Sequence, residues 1–255
     1  MLLLASAFLY TNILAISETP YKLVWSDEFN GRGRPDPKKW DYEYGKVRNN
    51  EPQFYTRNRR ENSRVEGGNL VLEARKEEFE GSHYTGASLI TLNKFHFQYG
   101  KVEVRAKLPG GMGTWPAIWM MGADRPQVGW PRCAEVDIME HIAYEPSTIF
   151  GTLHQISPDG KGHVSKGGTT KIPDATEQFH VYGLEWTPKA MKMMVDDNVY
   201  FEYPYQGPTS WTFDRPMYLL INFAIGGAWA GKNGIDDSCF PQKFLIDYVR
   251  VYQRS

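Results

Sequence analysis

Short strand-like runs separated by turns recur along the chain of 255 residues and constrain its fold more than any other feature. In KVEVRAKLP, the apolar side chains of Val102, Val104, Ala106 and Leu108 alternate with charged ones, which is typical of a strand with one buried face. Comparable runs are YKLVWSDEF, NLVLEARK, TIFGTLHQ, FHVYGLEWT, MYLLINFAIG and FLIDYVRVYQ, and MKMMVDDNVYFEY predicts a hairpin that turns at residues 196–198. No window shows sustained helical periodicity. We therefore predict an all-β sandwich with long loops.

We predict one domain, from about residue 20 to residue 255, because the glycine and proline residues are scattered and form no linker. The first 17 residues, MLLLASAFLYTNILAIS, are apolar but too short to span a bilayer, and Ala15 and Ser17 are small residues spaced as at a signal-peptidase site. Residues 1–17 are thus predicted to be a signal peptide, although they carry no Lys or Arg, and the protein is expected to be secreted to the periplasm or the cell exterior.

The formal net charge of -1 leaves no electrostatic footprint for nucleic acid or for an anionic membrane. We therefore expect an uncharged partner, and a monomeric protein. Cys133 and Cys239 are the only cysteines, and no C-x-x-C spacing occurs. Both are expected to be buried or partly buried thiols, and the sequence leaves open whether they pair.

The stretch CAEVDIMEH places Glu135, Asp137 and Glu140 on one strand-like run that also carries Val136 and Ile138. Side chains alternate along a regular strand, so Glu135 and Asp137 share a face and Glu140 would point the other way. A β-bulge within DIME would return Glu140 to that face, and bulges are frequent beside active sites. We predict such a bulge.

With the bulge, four effective strand steps separate Glu135 from Glu140, roughly 13 Å between their α-carbons, and the two side chains leaning together leave about 5 Å between carboxyl groups. That separation is typical of a retaining glycosidase. Three neighbouring carboxylates titrate together, so one is expected to hold its proton as the acid while another is ionised as the nucleophile. Two alternatives remain open, a solvated face and a divalent-metal site with His154 as a further ligand.

Aromatic and polar residues nearby are candidate walls of a binding site. Trp115 and Trp119 lie in GTWPAIWMMG, and Trp229 lies in the glycine-rich GGAWAGKNG, where a large ring has few local neighbours. Asn50 in NNEPQFYT could offer amide hydrogen bonds to hydroxyls, and His154 lies in GTLHQ. Each has a structural alternative: core packing for a tryptophan or the histidine, and a turn for Asn50.

Eight ordered motifs, VWSDEFNG, YGKVEVRAKLP, TWPAIWMMG, EVDIME, GTLH, FHVYGLEWTP, IGGAW and DYVRVYQ, resemble glycoside hydrolase family 16, close to its bacterial laminarinase group. The resemblance covers essentially the whole chain after the predicted signal. It implies a β-jelly-roll sandwich with a concave glycan cleft and retaining endo-hydrolysis of β-1,3-glucan, with mixed-linkage β-1,3-1,4-glucan as a further substrate.

Carried onto matching positions, the resemblance makes Glu135 the nucleophile, Asp137 its electrostatic helper and Glu140 the acid/base. It also implies a glycan cleft lined by Asn50, Trp115, Trp119, His154 and Trp229. No cofactor is expected for catalysis, but similar enzymes often hold a structural calcium ion, which would fall to Glu28, Gly68 and Asp247.

One departure concerns position 88. Many laminarinase-like sequences have an arginine in a stretch resembling S-A-R-I, where this chain reads GASL with Ser88. A charged contact to the glycan is thereby in doubt. Two rival functions also follow from the scaffold: a non-catalytic β-glucan-binding module, and a hydrolase or transglycosylase acting on another polysaccharide such as a galactan.

Overall fold

The computed structural model describes residues 19–254, so the predicted signal peptide lies outside the described residues. The strands are β1 Tyr21–Asp27, β2 Asp41–Tyr42, β3 Gln53–Tyr55, β4 Ser63–Glu66, β5 Asn69–Phe79, β6 Ser82–Gly86, β7 Ser88–Ile90, β8 Gly100–Lys107, β9 Thr114–Gly122, β10 Glu135–Glu140, β11 Thr148–Ile156, β12 His163–Lys171, β13 His180–Trp186, β14 Ala190–Val195, β15 Asn198–Pro204, β16 Met217–Ile225 and β17 Gln242–Arg254. Three single-turn helices accompany them: α1 Arg125–Val128, α2 Gly227–Ala230 and a 3₁₀ turn at Asp237–Cys239.

Two sheets form the sandwich. The seven-stranded sheet has the order β12-β11-β10-β9-β16-β7-β2, and the ten-stranded sheet runs β15-β14-β13-β8-β17-β5-β6-β3, with β1 added at β17 and β4 at β5. Every pairing between neighbouring strands is antiparallel except that of β3 with β6. This is the all-β jelly-roll sandwich that the sequence predicts.

The core lies between the two sheets, where their inward faces meet. Val102 and Val104 of the ten-stranded sheet and Ile118 and Met120 of the seven-stranded sheet are fully buried in one apolar cluster. Along β8, buried and half-buried residues alternate without exception, as the sequence predicts. Burial of these faces removes apolar area from water, which is the main stabilising contribution to such a fold.

The hairpin of β14 and β15 also confirms its prediction. Its turn consists of Asp196 and Asp197, both with positive φ, 49° and 63°. Positive φ at two successive turn residues matches the twist of the flanking strands, and aspartate tolerates it better than most residues. Asn198, predicted within the turn, instead begins β15.

The two cysteines are free thiols, Cys133 buried and Cys239 partly buried, as expected. The structure therefore shows no disulfide between them, the pairing that the sequence leaves open. Among residues 19–254, no helix has the length and apolar character needed to cross a membrane.

Candidate active site

The three acidic residues of β10 share one face of the seven-stranded sheet. Against β9, Glu135 pairs with Met121, Asp137 with Trp119 and Glu140 with Ala117, which are alternate positions of a regular strand. Against β11, the same three residues pair with His154, Thr152 and Phe150. Alternate partners point to the same side, so all three carboxylates do as well.

A β-bulge produces this arrangement. The register with β9 shifts between Asp137 and Met139, and that with β11 shifts between Asp137 and Glu140. The bulge absorbs one residue, so Val136, Ile138 and Met139 are buried while the carboxylates face outward. The predicted bulge is therefore confirmed.

The carboxylates lie at the floor of a cavity of about 410 Å³ on the outer face of this sheet. Its walls come from the loop before β3, from the segment after α1, from β11 and β12, and from α2. The cavity is lined by Arg48, Asn49, Glu51, Trp115, Ala117, Trp119, Trp130, Glu135, Asp137, Glu140, Phe150, Thr152, His154, His163, Asn222, Ala224 and Trp229. The structure thus brings together every catalytic candidate and all of the predicted binding residues except Asn50.

Glu140 is hydrogen-bonded to one member of a group of three packed aromatic residues. The indole Nε1 of Trp115 donates a hydrogen bond of 3.1 Å to Glu140 Oε1. Trp229 packs edge-on against Trp115 at 5.3 Å and against Phe150 at 5.0 Å between ring centroids. Gly226, with φ of 66°, precedes α2 and lets the chain turn so that Trp229 faces the cavity.

Asp137 is tied to a pair of histidines. His154 Nε2 lies 3.0 Å from Asp137 Oδ2, and His154 Nδ1 lies 2.8 Å from His163 Nε2. The His163 ring in turn lies 4.7 Å from the ring of Trp130. Because both nitrogens of His154 are engaged, its ring is fixed in orientation beside the buried carboxyl group.

Burial raises the pKa of all three carboxyl groups. Burial and the neighbouring charge of Asp137 raise the pKa of Glu135 to about 8, while His154 and Arg48 act in the opposite direction. Burial, with the charge of Asp137 added, holds the pKa of Glu140 well above its ordinary value. Burial also raises the pKa of Asp137. The three carboxyl groups therefore titrate together, and at least one of them keeps its proton near neutral pH.

Trp119 does not present a free ring face to the cavity. It is 5% exposed, it packs beside Met121 and Tyr218, and its Nε1 donates a hydrogen bond of 2.7 Å to Asn222. The guanidinium carbon of Arg48 lies 4.9 Å from the ring centroid. Trp119 thus forms part of the floor, and a sugar stacked directly on it is not what this geometry favours.

Asn50 lies beside the catalytic cavity and does not line it, whereas its two neighbours in the chain do. Asn49 and Glu51 line the cavity, whereas Asn50 is exposed and lines a separate cavity next to it. Asn49 donates a hydrogen bond of 3.0 Å to Glu51, and Gln53 donates one of 2.7 Å to the same carboxylate. Asn49 and Asn50 both have positive φ, so the chain turns here and separates neighbouring side chains.

Ser88 is fully buried at the start of β7. Its Oγ donates a hydrogen bond of 2.6 Å to Glu43 Oε2, and the same oxygen accepts from Arg48 Nη2. Ser88 does not line the cavity; its hydroxyl is connected to the cavity through Glu43 and Arg48, and its backbone position pairs with Asn222 of β16.

A metal ion would have two candidate locations. Ligand atoms of Glu135, Asp137 and His154 lie within 4.8 Å of one another and could surround a divalent ion. Glu140 is bonded to Trp115 instead, so the further carboxylate of the predicted metal set is engaged elsewhere. The trio offers two carboxylate oxygens and one imidazole nitrogen, a donor set that suits a divalent transition metal.

The predicted calcium residues fit that ion poorly. Glu28 accepts two hydrogen bonds from Arg250, of 3.0 and 2.7 Å, and Asp247 accepts one of 2.5 Å from Arg105. Gly68 offers a backbone carbonyl in the turn between β4 and β5. Both carboxylates are thus neutralised by arginines, and calcium would have to displace these ion pairs.

Ten cavity residues were not found by sequence reasoning, among them Arg48, Glu51, Trp130, Phe150 and His163. Trp130 carries a usable signal, because it lies shortly before the acidic motif and is 48% exposed in the structure. His163 carries none, because HVSKGGTTK has no strand-like alternation.

Comparisons with known proteins agree with this architecture. The family model described as Glycosyl hydrolases family 16 matches residues 50–250. Over 245 residues the chain is 46% identical to a β-glucanase of Rhodothermus marinus, which covers 91% of this chain and 85% of that protein. The solved laminarinase structure from Rhodothermus marinus matches with a TM-score of 0.88 and 43% identity, over 93% of this chain and 99% of that one.

A second solved structure, described as a non-specific endo-β-1,3(4)-glucanase, matches with a TM-score of 0.85 and 46% identity over 93% of each chain. Motifs, fold, cavity and comparisons lead to one conclusion: this chain belongs to glycosyl hydrolases family 16.

Proposed function

We propose that the protein is a retaining endo-β-1,3-glucanase of laminarinase type that also cuts mixed-linkage β-1,3-1,4-glucan. One observation carries the proposal: a bulged strand directs Glu135, Asp137 and Glu140 into a single cavity with aromatic walls. The similarity to a laminarinase and to an endo-β-1,3(4)-glucanase supports these substrates. A neutral glucan also suits a chain with a net charge of -1.

In the first step, the Glu135 carboxylate attacks the anomeric carbon while the bond to the departing oxygen breaks. Glu140 donates its proton to that oxygen, so the leaving chain departs as an alcohol. Glu140, now ionised, takes a proton from water, which attacks the anomeric carbon and breaks the ester to Glu135. Two inversions retain the configuration, and both carboxyl groups return to their starting states.

The other polar groups prepare this chemistry. Asp137, held by His154, lies on the same face of β10 as both glutamates and raises the pKa of each. Its contribution is to keep the proton on Glu140 until the leaving oxygen arrives. Trp115 orients Glu140 through its hydrogen bond, and Trp229 and Phe150 supply apolar surface for sugar rings.

The test is chromatography of the products from laminarin and from mixed-linkage β-glucan, with the intact protein and the Glu135→Gln variant. Early release of oligosaccharides of mixed length, absent from the variant, is the expected result. Proton NMR of the first products should show the β-anomer before mutarotation. Release of the α-anomer would contradict the retaining mechanism, and no cleavage of either glucan would contradict the substrate assignment.

The two rival functions make different predictions. A non-catalytic β-glucan-binding module would bind laminarin without releasing products, and Glu135→Gln would leave its affinity unaltered. A hydrolase or transglycosylase that acts on a galactan would leave both glucans intact. The intact carboxylate set favours the glucanase over the binding module, since binding alone needs only the cavity and its aromatic rings.

Export of a monomer belongs to the same proposal. It is supported by the apolar residues 1–17, with small residues at positions 15 and 17, and by the need to meet a polymeric substrate outside the cell. Amino-terminal sequencing of protein from culture medium should begin at residue 18. Light scattering of the purified protein should give the mass of one chain.

A further inference from the structure

Arg48 occupies a central place in the cleft that its role in the fold does not explain. It lies in the loop between β2 and β3, and its side chain lines the catalytic cavity and both adjoining cavities. Its guanidinium carbon lies 4.9 Å from the ring centroid of Trp119 and 5.9 Å from that of Tyr55. Such stacking on aromatic faces holds the planar group flat against the cleft floor.

A single carboxylate fixes this guanidinium group. Arg48 Nη2 donates to Glu43 Oε2, and the two side chains are 19% and 10% exposed. The hydroxyl of Ser88 donates to the same oxygen over 2.6 Å. Glu43 thus offsets the charge of Arg48, and Ser88 orients Glu43.

The remaining donors of Arg48 have no protein acceptor among residues 19–254. A guanidinium group has five N–H donors, and the contact with Glu43 uses only the terminal nitrogen Nη2. Its Nε and Nη1 are left to groups inside the cleft. The side chain is only 19% exposed and opens onto the cleft, so a ligand bound there can supply acceptors to these two nitrogens.

We propose that Arg48 is a glycan-binding and positioning residue, whose Nε and Nη1 donate hydrogen bonds to hydroxyl oxygens of the sugar bound beside Glu135. This inference rests on the proposed glucanase function of the cleft. Arg48 also lowers the pKa of Glu135, which favours the ionised nucleophile. Arg48 and Ser88, the position where the family resemblance implies an arginine, both donate to the same oxygen of Glu43.

The position of Trp119 favours Arg48 over Trp119 itself as the residue that contacts the sugar. The ring of Trp119 is covered by the guanidinium group and packed from behind by the cluster around Met121 and Cys133. The indole therefore acts as a platform for Arg48, and Arg48 is the group that meets the sugar. The fork of donors selects hydroxyl pairs in a fixed geometry, which a flat ring cannot do.

The test compares Arg48→Met and Arg48→Lys with the intact protein on laminarin, with kcat and KM measured across pH. Arg48→Met keeps apolar contact with Trp119 but loses the donors and the charge. We expect kcat/KM to fall about tenfold or more, mainly through KM, as for a hydrogen bond from a charged donor. The acid limb of the pH profile should also move to higher pH. Arg48→Lys should keep the acid limb near its original place without restoring KM.

A paired variant separates binding from support of the fold. Arg48→Met leaves Glu43 without its partner, so Arg48→Met combined with Glu43→Gln removes both charges. If Arg48 only neutralises Glu43, the double variant regains the original KM, and the proposal is wrong. If Arg48 meets the sugar, KM stays high although the melting temperature recovers. Arg57→Met is the matched control, because Arg57 lies 5.9 Å from the ring of Tyr44 and lines none of the three cavities.

The experiments distinguish failure of the glucanase proposal from failure of the proposed role of Arg48. Cleavage by the intact protein with unaltered KM in Arg48→Met contradicts the role of Arg48 and leaves the glucanase function standing. Absence of cleavage by the intact protein contradicts the function. In that event, calorimetry with a β-1,3-glucan hexasaccharide still tests the contact, since equal affinity of the intact protein and Arg48→Met overturns it.

Discussion

Replacing Asp137 by asparagine should move the acid limb of the pH profile of kcat/KM to lower pH. That limb reports ionisation of Glu135 in the free enzyme, because the attacking carboxylate must be charged. The pKa of Glu135 stands at about 8, first because of burial and second because of the charge of Asp137. Asparagine keeps the shape and removes only the second cause.

The size of the effect follows from the distance between the two groups. Ligand atoms of Glu135 and Asp137 lie within 4.8 Å of each other. At an effective dielectric constant of about 20, two unit charges at that distance repel by about 3.5 kcal/mol, equivalent to about 2.5 pH units. Asp137 is itself only partly ionised near neutral pH, because burial raises its pKa too. We therefore expect a movement of about one to two pH units.

Initial rates of reducing-end release from laminarin between pH 4 and pH 10 provide the measurement. Asp247→Asn is the control, because Asp247 pairs with Arg105 on the ten-stranded sheet and lies outside the cavity. An acid limb that stays in place would refute the electrostatic argument. Movement to higher pH would show that Asp137 stabilises ionised Glu135 by donating a hydrogen bond to it.

Three further predictions concern stability, the histidine pair and calcium. Because burial raises the pKa of Asp137, its contribution to stability is full below about pH 4 and is lost as the pH rises towards 8. Asp137→Asn should therefore raise the melting temperature at pH 8 and change it little at pH 4. Calorimetry at both pH values checks the sign. His163→Phe keeps a ring beside Trp130 but removes the partner of His154, and kcat should fall about two- to tenfold with KM nearly unchanged, whereas His163→Gln should recover part of the loss. Chelation with EDTA should leave the melting temperature nearly unchanged because arginines already neutralise both carboxylates of the predicted site; a fall that added calcium reverses would establish the ion.

The acidic strand shows how far sequence reasoning can reach. Three carboxylates within six residues of an otherwise apolar strand need a shared purpose, because burial without one is costly. That argument predicts the bulge, and the register of β10 against both neighbours confirms it. The pattern succeeds here because period-two alternation and the cost of burying charge are local properties of the chain.

Strand β12 shows where such reasoning ends. Its sequence HVSKGGTTK carries no apolar alternation and two glycines, and most of its residues are exposed. It is a strand because nine consecutive residues pair with β11, so the neighbour's backbone supplies the order that its own side chains do not. His163 reaches His154 only through this pairing, which explains why the local sequence gives no sign of the contact.

Arg48 illustrates a third case: the sequence indicates that the cleft needs an arginine but does not indicate which residue supplies it. The family resemblance implies an arginine where this chain has Ser88, which puts one charged contact to the glycan in doubt. In the structure, Ser88 and Arg48 meet at one oxygen of Glu43, although 40 positions separate them in the chain. An arginine side chain is long enough to reach this part of the cleft from the β2–β3 loop, so a missing arginine at position 88 does not mean a missing charge in the site. The double variant Arg48→Ser with Ser88→Arg tests this. If the position of the guanidinium group in the cleft decides glycan affinity, Ser88→Arg should restore part of the affinity that Arg48→Ser loses. If the β2–β3 loop must carry the arginine, Ser88→Arg should restore no affinity.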